Sequence, residues 1–224
     1  MKIHVKICCI SSIEEAKNAL KLGADVLGLV AKMPSGPGTI EDDLISRIVK
    51  SIPPEIPTFL LTPKTNPYEI IEHQRLTGTN CIQLVDAVKI EDYTILRENL
   101  PNIQLIQVIH VTSEASIEEA KRYAEVADMI LLDSGNPNLE IKELGGTGRV
   151  HNWELSRKIV ESISIPIFLA GGLKPENIRE AIETVRPFGV DLCSGVRTDR
   201  KLDLEKLGMF FTAIRQKSRE DFSR

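Results

Sequence analysis

The chain has 224 residues, a formal net charge of −4 and a hydrophobic fraction of 42%. This composition is typical of a globular protein, and it offers no basic footprint for DNA or RNA. No apolar stretch is long enough to span a bilayer. From Met1 the chain runs directly into a strand pattern, without the apolar core of a signal peptide. We therefore expect a cytoplasmic protein with a small-molecule partner, and neither nucleic acid nor membrane as a partner.

The four cysteines and four histidines are scattered. Cys8 and Cys9 are adjacent and poorly placed to bridge each other, and no Cys-x-x-Cys spacing is present. The histidines also lack the paired spacing of zinc ligands. We expect a reducing compartment and no metal site.

Short apolar runs alternate with helical patterns eight times along the chain. The predicted strands are 3–8, 25–31, 57–62, 80–85, 103–109, 127–133, 166–170 and 188–194. The predicted helices are 12–22, 41–51, 67–77, 90–99, 115–126, 152–163, 175–186 and 203–217. Ser12-x-x-Glu15 and Ser116-x-x-Glu119 read as capping boxes, and Pro175 suits a first helical turn.

A repeat of about 28 residues predicts an α/β protein, a single (β/α)8 TIM barrel covering residues 1–224. Residues 218–224 are expected to fray. A doubly wound sheet is the competing fold, but it usually has a glycine-rich turn after the first strand. Residues 8–12 contain no glycine, which favours the closed barrel.

Two reactive side chains stand at the carboxyl ends of predicted strands, where barrel enzymes place their chemistry. Cys8 ends the first strand on the same face as Lys6, whose charge is expected to favour the thiolate. Asp133 ends the sixth strand. Each has a structural alternative: Cys8 as a small buried side chain, Lys6 as the buried partner of Asp191, and Asp133 as a turn cap.

Glycine turns follow the last three predicted strands. Gly171-Gly172 and Ser194-Gly195 lie after strands seven and eight, where barrels bind phosphate through backbone N–H groups. The segment around Gly146 follows strand six and is expected to cover the substrate. Gln83, near the end of strand four, is a candidate to hydrogen-bond substrate or backbone.

Six segments, in order, resemble motifs of the phosphoribosylanthranilate isomerase family. They are residues 6–11, 83–84, 131–134, 145–148 with Trp153, 170–177 and 190–196. The resemblance implies a cofactor-free Amadori rearrangement of N-(5-phosphoribosyl)anthranilate in tryptophan biosynthesis. Asp133 would be the general acid that opens the ribose ring, and Cys8 the general base at C2. The glycine loops would hold the phosphate of this small phosphorylated sugar.

The chain departs from the family at the end of the site that holds the aromatic acid. The family's carboxylate-binding arginine has no counterpart in residues 33–38, and Val85, Cys9 and Arg197 stand where the family has His, Gly and Glu. Lys32 or Arg197 is a candidate to replace the arginine. The alternatives are a paralogous aldose–ketose isomerase acting on another phosphosugar, or a non-catalytic phosphate-ligand-binding barrel. The pattern leaves both a monomer and a homodimer open.

Overall fold

The computed structural model describes residues 2–34, 36–136, 139 and 141–215. Eight parallel strands close into one barrel in sequence order, with β1 pairing β8. The strands are β1 His4–Ile7, β2 Val26–Val30, β3 Thr58–Thr62, β4 Cys81–Leu84, β5 Gln104–His110, β6 Met129–Asp133, β7 Ile167–Leu169 and β8 Gly189–Leu192. The predicted TIM barrel is confirmed, whereas the predicted frayed tail, 218–224, lies outside the described residues.

Eight helices follow the eight strands. They are α1 Ile13–Leu22, α2 Asp42–Lys50, α3 Pro67–Thr77, α4 Asp92–Asn99, α5 Ala115–Ala124, α6 Trp153–Ser162, α7 Ile178–Val185 and α8 Leu204–Arg215. A short 3-10 turn, Ser194–Val196, and a hairpin of Arg197–Thr198 (β9) and Lys201–Leu202 (β10) lie between β8 and α8. In the described part of the chain, no helix is both long and apolar enough to cross a membrane.

Alternation along the strands divides the apolar side chains into two clusters. Val5 and Ile7 of β1 pack outward with the helices, while Phe59 and Phe168 fill the barrel interior at 6.0 Å between ring centroids. Burying each such side chain contributes roughly 1.5–3 kcal/mol. Cys8 belongs to the interior cluster, so the predicted inward face of β1 is confirmed.

The predicted helix starts are right for α1 and wrong for α5 and α7. Ser12 Oγ accepts from Glu15 N at 3.1 Å, as a capping box requires. Ser116 instead lies inside α5, where its hydroxyl donates to His110 O at 3.2 Å. Pro175 precedes α7, which begins at Ile178. Ser116 thus lies after the N-cap position of α5, and Pro175 lies in the turn before α7.

A disulfide joins Cys9 to Cys193, with 6.0 Å between their Cα atoms and 184 residues between them in sequence. Cys8 and Cys81 are free thiols. The expectation of a reducing environment did not anticipate this pairing, because barrel closure alone brings β1 beside β8. Cys9 has a φ of 62°, a left-handed conformation that usually favours glycine.

Candidate active site

A cavity opens at the carboxyl ends of the strands, with a volume of about 650 Å³ including the space at its mouth. Most of the predicted site residues line it: Cys8, Gln83, Asp133, Gly146, Gly171, Gly172 and Ser194. Lys6, Gly195 and Arg197 are not among its lining residues. The topology therefore brings the proposed acid, base and phosphate loops around one space.

Cys8 stands directly beyond β1, where its backbone N–H donates to Leu192 O at 2.7 Å. Gly28 of β2 makes room for it, since a Cβ at Gly28 would lie 2.9 Å from Cys8 Sγ and 3.0 Å from Lys6 Nζ. A glycine within a strand is the sequence signal for such a close approach.

Burial raises the pKa of the Cys8 thiol to about 11, and the neighbouring Lys6 ammonium lowers it only in part. The predicted lowering of the Cys8 pKa by Lys6 is therefore wrong in its net direction. Desolvation opposes the thiolate more strongly than one nearby cation favours it, because that cation is already shared with Asp191.

Lys6 and Asp191 form an ion pair beneath the cavity, 2.8 Å from Lys6 Nζ to Asp191 Oδ2. Burial acts to lower the pKa of Lys6, but Asp191 and Cys8 together raise it above its ordinary value. Asp191 also lines the cavity, and its Oδ1 is buried without a partner among the described residues. The predicted pairing is confirmed, but this free acceptor for a substrate hydroxyl was missed.

Asp133 is the last residue of β6, and the backbone of the loop that follows holds its carboxylate in place. Its Oδ1 accepts from Ser134 N at 2.7 Å, so the turn-cap alternative also describes a real contact. A Cβ on Gly145 would lie 2.6 Å from Asp133 Oδ2. Glycine at 145 therefore leaves the second carboxylate oxygen free of a neighbouring side chain and inside the cavity.

The segment 145–148, which the sequence predicts to cover the substrate, lines the cavity. Ser134 Oγ and Thr147 Oγ1 are 2.7 Å apart, which ties this segment to the end of β6. The ring of Pro37 occupies the space where a side chain at Gly146 would lie. Loops after β2 and β6 thus meet across the mouth of the cavity.

The loops after β7 and β8 form a tight backbone surface beside the acid and base. A Cβ at Gly172, whose φ is +63°, would lie 2.7 Å from the carbonyl carbon of Arg149. Gly195 packs against the backbone of Leu173 and does not line the cavity. The 3-10 turn Ser194–Val196 follows β8 directly, in the position of a barrel phosphate site.

The remaining wall of the cavity is apolar. Val30, Met33, Leu61 and Leu144 line it together with Gln83, whose Oε1 is buried without a partner among the described residues. Such a wall suits an aromatic ring, while the free amide oxygen suits one N–H or O–H donor. None of the described lining residues is Lys or Arg.

Arg197 does not take part in this cavity. Its guanidinium is 3.2 Å from Glu15 Oε1 and also donates to the carbonyl oxygens of Cys8 and Cys9. The sequence predicts that Arg197 contacts substrate, but Arg197 does not line this cavity and instead holds the backbone that carries Cys8. Lys32, the other candidate, is exposed and does not line the cavity.

No group of three or more His, Cys, Asp or Glu side chains is arranged to hold a metal ion within the described ranges. Cys8 and Asp133, which both line the cavity, are side chains that can exchange protons with a bound molecule. His151 lies nearby, hydrogen-bonded through Nε2 to Ser156 Oγ at 2.6 Å. Burial lowers the pKa of His151 to about 4, with Asp133 opposing this in part.

Comparison with known proteins places these features in a family. Residues 5–213 match the model of the N-(5'-phosphoribosyl)anthranilate isomerase family. The isomerase of Methanocella arvoryzae is 34% identical over 213 residues, covering 95% of this chain and 98% of that protein. Isomerase 2 of Methanosarcina mazei is 37% identical over 196 residues, covering 87% and 86%.

Solved structures give the same result. The phosphoribosyl anthranilate isomerase of Thermotoga maritima superposes with a TM-score of 0.81 at 31% identity, covering 95% of this chain and 98% of that one. A second isomerase structure holds reduced 1-(o-carboxyphenylamino)-1-deoxyribulose 5-phosphate. It matches with a TM-score of 0.78 at 30% identity and the same coverage.

Proposed function

Since the chain belongs to the N-(5'-phosphoribosyl)anthranilate isomerase family, we propose that it isomerises N-(5-phosphoribosyl)anthranilate in tryptophan biosynthesis. The product is 1-(2-carboxyphenylamino)-1-deoxyribulose 5-phosphate. The observation that carries this proposal is the placement of Cys8 and Asp133 in one cavity with the glycine loops after β7 and β8.

The reaction needs two proton transfers, one to the ring oxygen and one from C2, and both of these atoms are bonded to C1. Asp133, in its protonated form, gives a proton to the ribose ring oxygen as the bond from that oxygen to C1 breaks, leaving an iminium. A base then removes the proton at C2, and the electron pair moves to form an enamine that tautomerises to the ketose. Atoms and electrons balance without any cofactor.

Cys8 is the side chain proposed as the C2 base. Its raised pKa makes the thiolate scarce but strongly basic, and the iminium increases the acidity of the C2 proton. Lys6 supports the thiolate from below, since the pKa of Cys8 would lie higher without that charge. Asp191 Oδ1 and Gln83 Oε1 offer acceptors for the sugar hydroxyls.

Phosphate binding is proposed at the loops that contain Gly171, Gly172, Ser194 and Gly195. The first three line the cavity, and Gly195 allows the two loops to pack together. No hydrogen bond from the N–H of Gly171 or Gly172 occurs within the described residues. Such free N–H groups suit a phosphate.

We also propose a cytoplasmic enzyme that is a monomer or a homodimer; a related isomerase from Thermotoga maritima is dimeric. Cytosolic thiols are kept reduced, whereas Cys9 and Cys193 are oxidised to a disulfide in this structure. A count of reactive thiols in the purified protein shows which state the two sulfurs adopt there.

The test is a steady-state assay of the purified protein on phosphoribosylanthranilate formed in solution from ribose 5-phosphate and anthranilate. Loss of anthranilate-type fluorescence reports turnover. We expect turnover in the wild type and none in Cys8→Ala or Asp133→Asn, both of which should remain folded and bind the reduced product analogue. Turnover retained in Cys8→Ala would exclude the thiol as the base.

A further inference from the structure

A second cavity, of about 530 Å³ including the open space at its mouth, lies beside the catalytic one. It is lined by arginines, which the described lining of the catalytic cavity lacks. Four residues line both spaces, Cys9, Pro37, Cys193 and Ser194. The second cavity adds Gly38, Arg197 and Arg200. The two cavities are therefore adjacent, on either side of the residues that they share.

Position 38 cannot itself supply a cation in this chain. A Cβ at Gly38 would lie 2.5 Å from Cys9 Cβ and 3.0 Å from Cys9 Sγ, so a larger residue would collide with the disulfide. Gly38 also has a φ of +76°, which disfavours other residues. A cation for this region has to come from the opposite wall, which is the hairpin after β8.

Arg197 anchors that hairpin, but its positive charge is already paired with a carboxylate. Its guanidinium is paired with Glu15, and the side chain is 7% exposed. Arg197 also donates to Arg200 O at 3.0 Å, while Leu202 N donates to Glu15 Oε1 at 2.8 Å. These bonds anchor both strands of the hairpin and so hold the turn at Arg200.

Arg200 is the uncompensated cation of the second cavity. Its guanidinium has no hydrogen bond or ion pair with any described residue. Arg200 is exposed, and a planar guanidinium binds carboxylates well.

Building on the proposed function, we propose that this second cavity binds the carboxylate of the substrate's aromatic amine, with Arg200 as the specificity-determining cation. The aromatic ring would then lie on the apolar wall near Met33. Asp133 and Asp191 lie on the catalytic side, so this arrangement keeps the substrate's negative group away from both carboxylates.

The experiment measures binding by calorimetry. The ligands are the reduced product analogue, 1-(o-carboxyphenylamino)-1-deoxyribulose 5-phosphate in reduced form, and the same compound without its carboxyl group. The proteins are wild type, Arg200→Met and the control Lys201→Met, which alters the exposed neighbour of Arg200 that lines neither cavity.

We expect Arg200→Met to raise the Kd of the carboxylate ligand about 10- to 100-fold. The Kd of the ligand without a carboxyl group should change less than about twofold, and Lys201→Met should change neither. Arg200→Lys should restore part of the affinity. Equal effects of Arg200→Met on both ligands, or no effect on either, would overturn the inference.

Turnover separates this inference from the proposed function. If the wild type binds the carboxylate ligand through Arg200 but does not isomerise phosphoribosylanthranilate, the proposed function is wrong and the proposed subsite is supported. A wild type that isomerises it with an unchanged KM in Arg200→Met would keep the function and exclude the subsite. A wild type that binds neither ligand would contradict both.

Discussion

Lys6 and Asp191 meet inside the barrel across the β1–β8 pairing, with Lys6 Nζ donating to Asp191 Oδ2 at 2.8 Å. Lys6 is 0% exposed and lies 5.5 Å from the centroid of the Phe59 ring. The pair is therefore almost completely desolvated, and each charge depends on the other.

Replacing Lys6 with Met should destabilise the barrel because it leaves the Asp191 carboxylate buried without a counterion. We expect the free energy of unfolding to fall by about 3–5 kcal/mol. The double variant Lys6→Met, Asp191→Asn removes both charges and should recover part of that loss. Urea denaturation measures both values, and a double variant no more stable than the single one would contradict this account.

Titration of Cys8 should show a thiol that ionises well above neutrality. Since burial raises its pKa to about 11, the thiolate absorbance that distinguishes wild type from Cys8→Ala should grow only above about pH 9. Cys81 is present in both proteins, so its ionisation cancels in the difference. A difference spectrum that is complete at neutral pH would mean that Lys6 outweighs burial.

Gly145 should matter for activity because it leaves room beside Asp133 Oδ2. Gly145→Ala adds a Cβ at 2.6 Å from that oxygen, and displacing the acid should lower kcat by about 10- to 100-fold. Gly148→Ala is the matched control, as Gly148 also has a positive φ but its nearest contact would be at 3.6 Å. Equal losses in the two variants would assign the effect to backbone strain alone.

His151 should make the fold sensitive to acid. Its pKa is lowered from 6.5 to about 4, so the unfolded chain takes up a proton at a higher pH than the folded one. The stability it contributes is complete above about pH 6.5 and is lost as the pH falls toward 4, by about 3 kcal/mol. In His151→Gln the unfolding free energy should fall less over this range, and parallel curves would exclude His151.

The Cys9–Cys193 bond should stabilise the oxidised protein by about 2–4 kcal/mol. Cys193→Ser should therefore lower the unfolding free energy without reductant and match the reduced wild type when reductant is present. Unfolded, unreduced wild type should react as two free thiols, Cys8 and Cys81. Four reactive thiols would show that the bond is not formed in the isolated protein.

Much of the architecture follows from local patterns in the sequence. Strand periodicity located all eight strands within a few residues, and position at a strand end was enough to single out Cys8 and Asp133. Contacts between distant segments were not predictable in the same way. Cys9 meets Cys193 only after the barrel closes, and the same closure turns Arg197 toward Glu15 and away from the cavity.

The energetic balance at the site was also beyond the sequence. The spacing of Lys6 and Cys8 correctly indicates their proximity, but the pKa of Cys8 depends on how completely the surroundings exclude water. The roles of Gly28 and Gly145 depend on what lies opposite them. A glycine inside a strand was the available signal for Gly28, whereas Gly145 had only its place in a glycine-rich segment.

Every pair of neighbouring strands except β1 and β8 is connected by a single crossover along the chain. With Cys9 bonded to Cys193, the intervening polypeptide becomes a covalent ring that passes through all seven crossovers, with β1 and α8 outside it. A single proteolytic cut anywhere within that ring, including the covering loop at 145–148, would then release no fragment. The nicked chain would remain one molecule, with its acid and base still on connected segments.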